Sequence, residues 1–510
     1  MITASHLYDH VACPRRVELD LRGDPAARDP VSAFVRLLWE QGAAFEARIL
    51  AEVGHDAVRL GGLEPAEREA LTLEAMAGGA EIVLGGRLRI GDLLGEPDLL
   101  LREDGGYVAA DVKSGRADDG VGEVEGRPKA SYAVQVAHYC HALEELGVSA
   151  GRHAYILDPG GRRVRYELSA MRSSRTTESW WRFYGTVRDE VRATAAGAAR
   201  RGAMSADCGL CHWRTLCKSE LTAVGDLSLI PSLGRKLRDA MGDVAGDLAA
   251  FAACDAETFV RGRKTVVPGL GSDRLRLFHR RAVLLTTPGA VAHLRGPIDI
   301  PKTDVEIMFD IEADPMRDVV YMHGFVERRA SAPGVTNFTP CIAATPDAAG
   351  ERAAFAEAMA YLAARPEATV FYYSPYERTA YRKLQRRYPE VCSADAIEAL
   401  FSFPRSVDLY LDVVTKATEW PTHNHSIKTL AKFLGFAWRD TDPSGAASIE
   451  WYHRWIETGD DAIRQRIADY NEDDCLATAV LLDGIRALPL APGAALAEGG
   501  TASSPDHRDA

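Results

Sequence analysis

Acidic residues in the first half of the chain have the spacing of a metal site. The segment PDLLLREDGGYVAADVKSG predicts a β-hairpin in which residues 98–102 pair with residues 107–113 around an Asp-Gly-Gly turn. Because alternate side chains of a strand share a face, Asp111 and Lys113 point the same way, and Asp98 reaches that face from the paired strand. Two carboxylates can hold Mg²⁺ or Mn²⁺, and an ammonium can assist an attacking water and neutralise phosphate charge. The pattern predicts metal-assisted hydrolysis.

Two helical patterns supply further groups to this site. Glu46 lies in LLWEQGAAFEARIL and could complete the metal shell, while Gln135 and Tyr139 stand at i and i+4 of an amphipathic helix and reach one groove. This order of parts resembles the RecB-type branch of the PD-(D/E)XK nucleases over residues 1–222. The resemblance implies that Glu46, Asp98 and Asp111 bind metal and that Lys113 assists the water. The alternative is a surface strand that ends in charges.

A second acidic pattern lies in the other half of the chain. Asp310 and Glu312 share a face of a strand in DVEIMFDIEADP, and Tyr470 and Asp474 stand at i and i+4 of a helix. A strand Asp-x-Glu with a helical Tyr-x-x-x-Asp resembles the DEDD exonucleases of the ribonuclease H-like fold, over about residues 300–490. The resemblance implies that the carboxylates bind two metals and that the tyrosine positions the water.

The middle motif departs from that family. Its usual Phe/Tyr-Asp is matched best by Tyr376-Glu377, and glutamate is one methylene longer. Asp408 is a further candidate ligand, and the segment SIKTLAKFLGF fits the helix that precedes the last motif. The neighbours Glu472 and Asp473 are expected to be exposed. The alternative is a ribonuclease H-like domain that binds nucleic acid without cutting it.

Three cysteines lie close together in DCGLCHWRTLC, at Cys208, Cys211 and Cys217. With Cys13 as a distant fourth ligand they could bind zinc or a [4Fe–4S] cluster, and spacing alone does not separate the two. The arrangement is similar to iron–sulfur nucleases of the RecB-like class, AddB-type nucleases and CRISPR adaptation nucleases among them, which favours [4Fe–4S] over zinc. His212 is expected to be a bystander. The remaining cysteines are expected to be small buried hydrophobes: Cys140, Cys254, Cys341, Cys392 and Cys475.

Two glycine turns, Ser232-Leu233-Gly234 and Gly269-Leu270-Gly271, each lead into a helix with basic residues. They resemble helix-hairpin-helix modules, which offer backbone N–H groups to a phosphate. The candidate nucleic-acid contacts are Gly234, Arg235, Lys236, Gly269, Gly271, Arg274 and Arg276. Further basic residues in this stretch are Arg261, Arg263, Lys264, Arg280 and Arg281. The alternative is a helical linker with solvated arginines.

The bulk properties restrict the class of protein. A chain of 510 residues is too long for one core. Its net charge of −13 argues against a protein that simply coats DNA, so any nucleic acid needs a local basic path. The sequence has neither a signal peptide nor a span long enough to cross a bilayer, so a cytoplasmic protein without membrane contact is expected. It has no nucleotide-binding P-loop, so any helicase activity is expected to come from a separate partner protein in trans.

We therefore expect an α/β multidomain protein. It comprises a PD-(D/E)XK restriction-endonuclease-like domain (1–222), a small helix-hairpin-helix segment (223–290), a ribonuclease H-like domain (300–490) and a disordered tail (491–510). The expected function is Mg²⁺- or Mn²⁺-dependent DNA cleavage, foremost as an exonuclease on single strands or free ends, in repair, recombination or defence. The alternatives are a nucleic-acid-binding scaffold with one or both sites inactive and an RNA-processing exonuclease. The sequence leaves DNA or RNA open as the substrate.

Overall fold

The computed structural model describes residues 1–491 except 55, 121–125, 175, 243, 316, 442 and 443. The expected disordered tail lies outside the described residues, apart from Ala491. The chain forms two compact units, unit 1 (Met1–Ala223) and unit 2 (Val224–Ala510). Among the described helices, none combines the length and the apolar character that crossing a membrane requires.

Unit 1 is a mixed α/β structure. Its helices are α1 (Ala4–Ala12), α2 (Pro14–Arg22), α3 (Ala33–Glu52), α4 (Pro65–Ala77), α5 (Ala130–Glu145), α6 (Trp180–Ala195) and α7 (Arg214–Ala223), with 3₁₀ turns at Pro25–Ala27 and Ala206–Leu210. Its strands are β1 (Ile2–Thr3), β2 (Val58–Arg59), β3 (Ile82–Leu84), β4 (Leu88–Ile90), β5 (Leu93–Gly95), β6 (Leu99–Glu103), β7 (Gly106–Val112), β8 (His153–Leu157) and β9 (Arg163–Glu167). A six-stranded sheet has the order β2-β3-β6-β7-β8-β9, and a small sheet has the order β1-β5-β4.

The β6–β7 hairpin is the centre of unit 1. Asp104 and Gly105 both have positive φ (50° and 80°), as the two central residues of a tight hairpin turn require. All seven residues of β7 are buried, because helices cover both faces of the strand. Ala109 packs into the core that contains α5, while Ala110 and Val112 pack with residues of α3. Asp111 therefore points to the α5 side at the end of the strand.

Unit 2 begins with a helical segment and continues into a second sheet. Its helices are α8 (Gly234–Ala240), α9 (Leu248–Ala253), α10 (Ser272–Thr286), α11 (Ala348–Ala363), α12 (Tyr376–Arg387), α13 (Ala394–Leu400), α14 (Thr415–Ala417), α15 (Ile427–Phe433), α16 (Gly445–Thr458) and α17 (Asp461–Ala487). Short 3₁₀ turns lie at Leu227–Leu229 and Ala256–Phe259, and a π-helical turn lies at Leu409–Val414. Its strands are β10 (Val260–Arg261), β11 (Lys264–Thr265), β12 (His293–Leu294), β13 (Val305–Asp314), β14 (Val319–Arg329), β15 (Thr336–Ile342), β16 (Thr369–Tyr372), β17 (Ser406–Asp408) and β18 (Thr418–Glu419).

The five-stranded sheet of unit 2 has the order β15-β14-β13-β16-β17. Strands β13, β14 and β15 are antiparallel neighbours, whereas β16 and β17 continue parallel to β13. Odd-numbered β13 residues such as Phe309 pack with residues of α11, α12 and α13, while Met308 packs with residues of α17. Asp310 and Glu312 share the face of Met308, so the strand presents them to α17. The pairing of β13 with β14 shifts register directly after Glu312.

Candidate active sites

The carboxylates of unit 2 come together as one group. Asp310 and Glu312 on β13 and Asp474 on α17 each offer an oxygen, and these oxygens lie within 4.8 Å of one another. In the described part of the chain, no other group of three His, Cys, Asp or Glu side chains is as close. Glu312 and Asp474 are buried and Asp310 is half-buried. The strand and the helix thus build a compact set of oxygen donors of the kind that Mg²⁺ and Mn²⁺ prefer.

Asn471 holds Asp310 in this group. Its amide donates to Asp310 Oδ2 at 2.8 Å, and the Asn471 side chain is buried. Gly324 on β14 stands opposite Asp310, and a Cβ at Gly324 would lie 1.5 Å from Asn471 Oδ1. The glycine inside a long strand therefore makes room for the asparagine, which is the close approach that such a glycine often marks.

Lys428 on α15 places a positive charge beside the carboxylates. Its ammonium donates to the Tyr470 hydroxyl at 2.9 Å, and Tyr470 also forms a hydrogen bond with Asp474. The Trp438 indole donates to Asp474 Oδ1 at 2.7 Å. Sequence reasoning gave no role to Lys428, Trp438 or Asn471, although the first lies in the segment expected to precede the last motif. Lys428 and Trp438 fix the orientation of Tyr470 and Asp474, and Asn471 fixes that of Asp310.

Burial and mutual repulsion favour protons on these carboxyl groups when no metal is bound. Burial, followed by the charge of Asp474, raises the pKa of Glu312 to about 8, and Lys428 opposes this shift. Burial and the carboxylates of Asp474 and Glu312 raise the pKa of Asp310 well above its usual range, and burial also raises the pKa of Asp474. A cation in the group would remove the repulsion, as expected of a metal site.

Glu377 stands next to the group but outside it. It is buried, its carboxylate accepts from the Ser374 hydroxyl at 3.2 Å, and its charge contributes to the raised pKa of Asp310. Burial raises the pKa of Glu377 to about 8. Asp408 caps the π-helical turn through the N–H groups of Tyr410 and Leu411 at 2.9 Å. One carboxylate oxygen of Asp408 is therefore engaged in capping this turn.

Asp473 is not exposed, and this expectation was wrong. Only 3% of Asp473 is exposed, because its carboxylate accepts from both the Arg439 backbone N–H and the Arg439 guanidinium at 2.8 Å. Glu472 is half-buried and accepts from the same guanidinium at 2.7 Å. The two acids anchor the segment after α15 to α17.

The hairpin of unit 1 places Asp98 opposite Asp111. Leu99 pairs with Ala110 in antiparallel register, so Asp98, just before Leu99, lies opposite Asp111, just after Ala110. Asp98 Oδ2 accepts from the Val112 N–H at 2.7 Å, and Lys113 Nζ lies 2.6 Å from Asp111 Oδ2. Asp111 is 1% exposed, whereas the Lys113 side chain is 20% exposed. Lys113 and Asp98 are both half-buried, so the buried Asp111 carboxylate has a partly solvent-accessible ammonium beside it.

Glu46, Gln135 and Tyr139 approach the same carboxylates. The charges of Asp111 and Lys113 act on Glu46. The pKa of Glu46 is raised by burial and by the charge of Asp111. Burial, then Asp111, raises the pKa of Tyr139 well above its usual range, and Gln135 donates to its hydroxyl at 3.1 Å. The expected residues of this site therefore lie in one neighbourhood.

Electrostatics at Asp98 resemble those in unit 2. Burial and the charges of Asp111 and Glu46 raise the pKa of Asp98 well above its usual range. Lys113 has a raised pKa because attraction to Asp111 and Asp98 outweighs the opposing effect of burial. The ammonium is held charged next to Asp111, where it could interact with a phosphate.

Cys13 is a neighbour of the cluster formed by Cys208, Cys211 and Cys217 despite its distance in sequence. Cys13 is the extended residue between α1 and α2, and its charge acts on both Cys211 and Cys217. Burial, then Cys13 and Cys211, raises the pKa of the Cys217 thiol to about 12. His212 is bound to Asp20 at 2.6 Å, which leaves it outside a thiolate set. Of the scattered cysteines, Cys140, Cys341 and Cys475 are buried, whereas Cys254 and Cys392 are only half-buried.

The segment at the start of unit 2 contains both glycine turns. Gly234 and Gly269 have positive φ (70° and 77°), and the turns lead into α8 and α10. A 3₁₀ turn precedes the first and the short β11 precedes the second. Arg235 is half-buried, and Lys236, Arg274 and Gly271 are exposed.

Several arginines of this segment are engaged within the protein, Arg281 and Arg276 among them. Arg281 is buried and donates to Glu419 at 3.1 Å and to the Pro231 carbonyl at 2.9 Å, so it does not contribute to a basic surface. Arg276 forms a two-pronged ion pair with Glu257 at 2.7 and 2.8 Å. The remaining exposed cations of the segment are the better candidates for contacts with phosphates.

Comparison with protein families decides the class of each domain. Residues 6–218 match the PD-(D/E)XK nuclease superfamily, and residues 307–485 match the RNase_H superfamily. The chain therefore contains a PD-(D/E)XK nuclease domain and a C-terminal RNase H superfamily domain. Both superfamilies hydrolyse phosphodiester bonds, and their domains usually use Mg²⁺ or Mn²⁺. The superfamilies predicted for the two halves are confirmed. A search of curated proteins finds no match to this chain.

Proposed function

We propose that the protein is a Mg²⁺- or Mn²⁺-dependent DNA nuclease with two separate active sites, one in each unit. The observation that carries the proposal is the group formed by Asp310, Glu312 and Asp474, whose oxygens lie within 4.8 Å of one another beside the Lys428–Tyr470 pair. Buried carboxylates with raised pKa values are costly to the fold unless a cation neutralises them. Their arrangement fits phosphodiester hydrolysis better than a purely structural role.

In unit 2, Asp310, Glu312 and Asp474 would hold the metal, with Glu377 beside them. A bound metal would polarise the phosphate and lower the pKa of the attacking water. Asn471 keeps the Asp310 carboxylate in place through its 2.8 Å hydrogen bond. Lys428 occupies one side of the Tyr470 oxygen, so the tyrosine O–H is directed to a partner on the carboxylate side. We infer that this O–H orients the attacking water for 3′-end trimming.

In unit 1, Asp98, Asp111 and Glu46 would hold the metal. Lys113 bridges from Asp111 toward solvent, so its ammonium can bind the scissile phosphate or the attacking water. Gln135 orients the Tyr139 hydroxyl, which lies within the electrostatic field of both aspartates. We assign to Gln135 and Tyr139 the positioning of the strand. This site is proposed to cut independently of unit 2.

We further propose that Cys13, Cys208, Cys211 and Cys217 bind a [4Fe–4S] cluster. The charges of Cys13 and Cys208 both act on Cys211, and Cys13 also acts on Cys217, so the four thiols share one neighbourhood. Four thiolates could hold either zinc or a cubane cluster. The order of one early and three late cysteines around the nuclease core favours the cluster, as in the iron–sulfur nucleases that the chain resembles.

The cofactor has its own test. Protein purified without oxygen should be brown and contain about four irons per chain. Cys208→Ser should lose the iron, whereas Cys392→Ser, a half-buried cysteine of unit 2, should retain it. Stoichiometric zinc without iron in anaerobic preparations would replace the iron–sulfur assignment by a zinc site.

The proposed substrate is DNA with a single-stranded region or a free end, in repair, recombination or defence. The exposed cations next to the glycine turns of residues 223–290 are proposed to bind its backbone, as in helix-hairpin-helix modules. A helicase in trans would supply the unwinding.

The deciding experiment uses strands labelled at either end, as single- and double-stranded DNA and RNA, with Mg²⁺ or Mn²⁺. Asp310→Asn should remove 3′ trimming and Asp111→Asn the remaining cleavage. Asp304→Asn, at the exposed residue just before β13, and Asp104→Asn, in the turn of the β6–β7 hairpin, are matched controls that should leave cleavage unchanged. A wild-type chain that binds these strands but cuts none of them would be a scaffold, and cutting of RNA alone would make it an RNA exonuclease.

A further inference from the structure

A groove of about 1130 Å³ lies in unit 1 next to the cysteines. One wall is formed by the beginning of α3 and the other by α7 and the turn before it. Trp39 on α3 lines the groove and is 61% exposed. An indole that is left in water on a helix surface is the type of side chain that binding partners cover.

The helix that carries Trp39 also carries Glu46. Trp39, Gly42 and Glu46 stand at i, i+3 and i+7, so they share one face of α3. That face meets the active site, because a Cβ at Gly42 would lie 3.8 Å from the hydroxyl of Ser114, the residue after Lys113. Seven residues of helix span about 10 Å, which is about three nucleotides of stacked strand.

A second contact joins the groove to the active site. Tyr8 lines the groove and stacks on Tyr132 with ring centroids 6.0 Å apart. The Lys113 ammonium lies 5.6 Å from the centroid of the Tyr132 ring. The wall of the groove is therefore separated from the proposed catalytic lysine by one aromatic ring.

The charges of the groove suit a polyanion. Arg214 and Lys218 stand one turn apart on α7, both are exposed, and neither has an ion-pair partner among the described residues. The acids that line the groove are already engaged. Asp9 pairs with Arg16 at 3.2 Å, and Asp29 accepts from the Thr215 N–H at 3.0 Å. Two cations are thus left facing an exposed indole.

We propose that this groove binds single-stranded nucleic acid beside the unit 1 active site, with a base stacked on Trp39 and phosphates bound by Arg214 and Lys218. An aromatic platform next to uncompensated cations is the usual composition of a site for single strands. The groove would guide the strand along α3 to Glu46, Asp111 and Lys113. This inference rests on the proposed nuclease function, which it extends by a substrate subsite.

The test measures binding without cutting. A labelled oligothymidylate is titrated in Ca²⁺ with the full chain carrying Lys113→Ala, and affinity is read from fluorescence anisotropy. Trp39→Ala should weaken binding about tenfold, and Trp39→Phe should stay close to the parent because it retains an aromatic face. Lys218→Ala should lower the slope of log affinity against log salt by about 0.7, the value for one phosphate of a single strand.

Two exposed residues outside the groove serve as matched controls, Leu73→Ala on α4 and Arg182→Ala on α6. Neither should change affinity. Equal affinity of the parent, Trp39→Ala and Lys218→Ala would overturn the inference, and so would a parent that does not bind the oligothymidylate. Loss of a dimer in Trp39→Ala with unchanged affinity would assign the groove to a second copy of the chain.

The outcomes also separate this inference from the nuclease proposal. If the chain with Lys113 restored cuts DNA, and its Trp39→Ala variant binds and cuts as well as wild type, the nuclease proposal stands and the groove inference is refuted. If the wild-type chain binds the oligothymidylate through Trp39 but cuts no substrate, the groove inference stands and the nuclease proposal is refuted.

Discussion

Gly324→Ala should disable the unit 2 site although residue 324 binds nothing itself. The added Cβ would lie 1.5 Å from Asn471 Oδ1, 2.7 Å from Asn471 Cγ and 3.2 Å from Phe338 Cε2. Asn471 is 0% exposed, so its amide cannot move into solvent without disturbing α17. The amide must leave Asp310, and the carboxylate then loses the donor that holds it.

The size of the effect follows from three contributions. Overpacking costs about 1–3 kcal/mol. Leaving the buried Asp310 oxygen without its donor costs about 1–3 kcal/mol. Alanine gains about 0.5–1 kcal/mol over glycine inside a strand. The net result is a loss of about 3 kcal/mol in the free energy of opening of β13 and β14, with trimming reduced about a hundredfold.

Hydrogen exchange of peptides from β13 and β14 measures that opening in the full chain, where two units make global unfolding hard to interpret. Trimming is measured in the Lys113→Ala background and Mn²⁺ binding by calorimetry. Gly445→Ala is the matched control, since a Cβ there meets no atom within 4 Å. In an Asn471→Ala background, Gly324→Ala should be nearly neutral, which gives a large coupling energy. The same cost in both backgrounds would refute the reasoning.

Three further predictions concern the same site. Lys428→Met should reduce trimming about a hundredfold because Tyr470 loses its orienting donor, while Lys432→Met, one turn further along α15, should have little effect; equal rates in single-turnover assays would contradict the role of Lys428. Glu377→Asp should retain or improve trimming, because it restores the shorter residue usual in this fold; loss of trimming would show that the glutamate length is required. Mn²⁺ affinity should rise at least tenfold per pH unit between pH 6 and 8, because the metal must displace protons from the group, including the proton of Glu312, whose pKa burial raises to about 8; calorimetry that finds constant affinity over this range would remove those protons from the binding step.

Sequence periodicity predicted the local geometry of both sites. Period-two patterns placed Asp111 with Lys113 and Asp310 with Glu312, and helical spacing placed Tyr470 with Asp474. These residues are spaced by the regular geometry of one element or of a short hairpin. Their relative positions therefore depend little on the rest of the fold, and the superfamilies of the two halves could be predicted from them.

The residues that were missed depend on contacts between distant elements. Lys428 meets Tyr470 only because α15 packs on α17. The role of Asn471 on α17 depends on the space left by Gly324 on β14. The solitary glycine in YMHGFVE was the available sequence signal of that close approach. Asp473 is next to a site residue and was expected to be exposed, but the half-exposed Arg439 pairs with it and covers its carboxylate. No periodic pattern encodes such pairings.

The two sites differ in how far the fold assembles them before a metal binds. In unit 2 a central strand, a bulge and one long helix bring three carboxylates within 4.8 Å, and neutral donors from Asn471 and Trp438 hold two of them. In unit 1 the Lys113 ammonium occupies Asp111 at 2.6 Å, and no comparably close trio exists among the described residues. In unit 2 the side chains that donate to Asp310 and Asp474 are neutral and Lys428 acts on the carboxylates through its charge, whereas in unit 1 the ammonium of Lys113 contacts Asp111 directly. The residues proposed for each site belong to a single unit, so replacing one set is expected to leave the other intact.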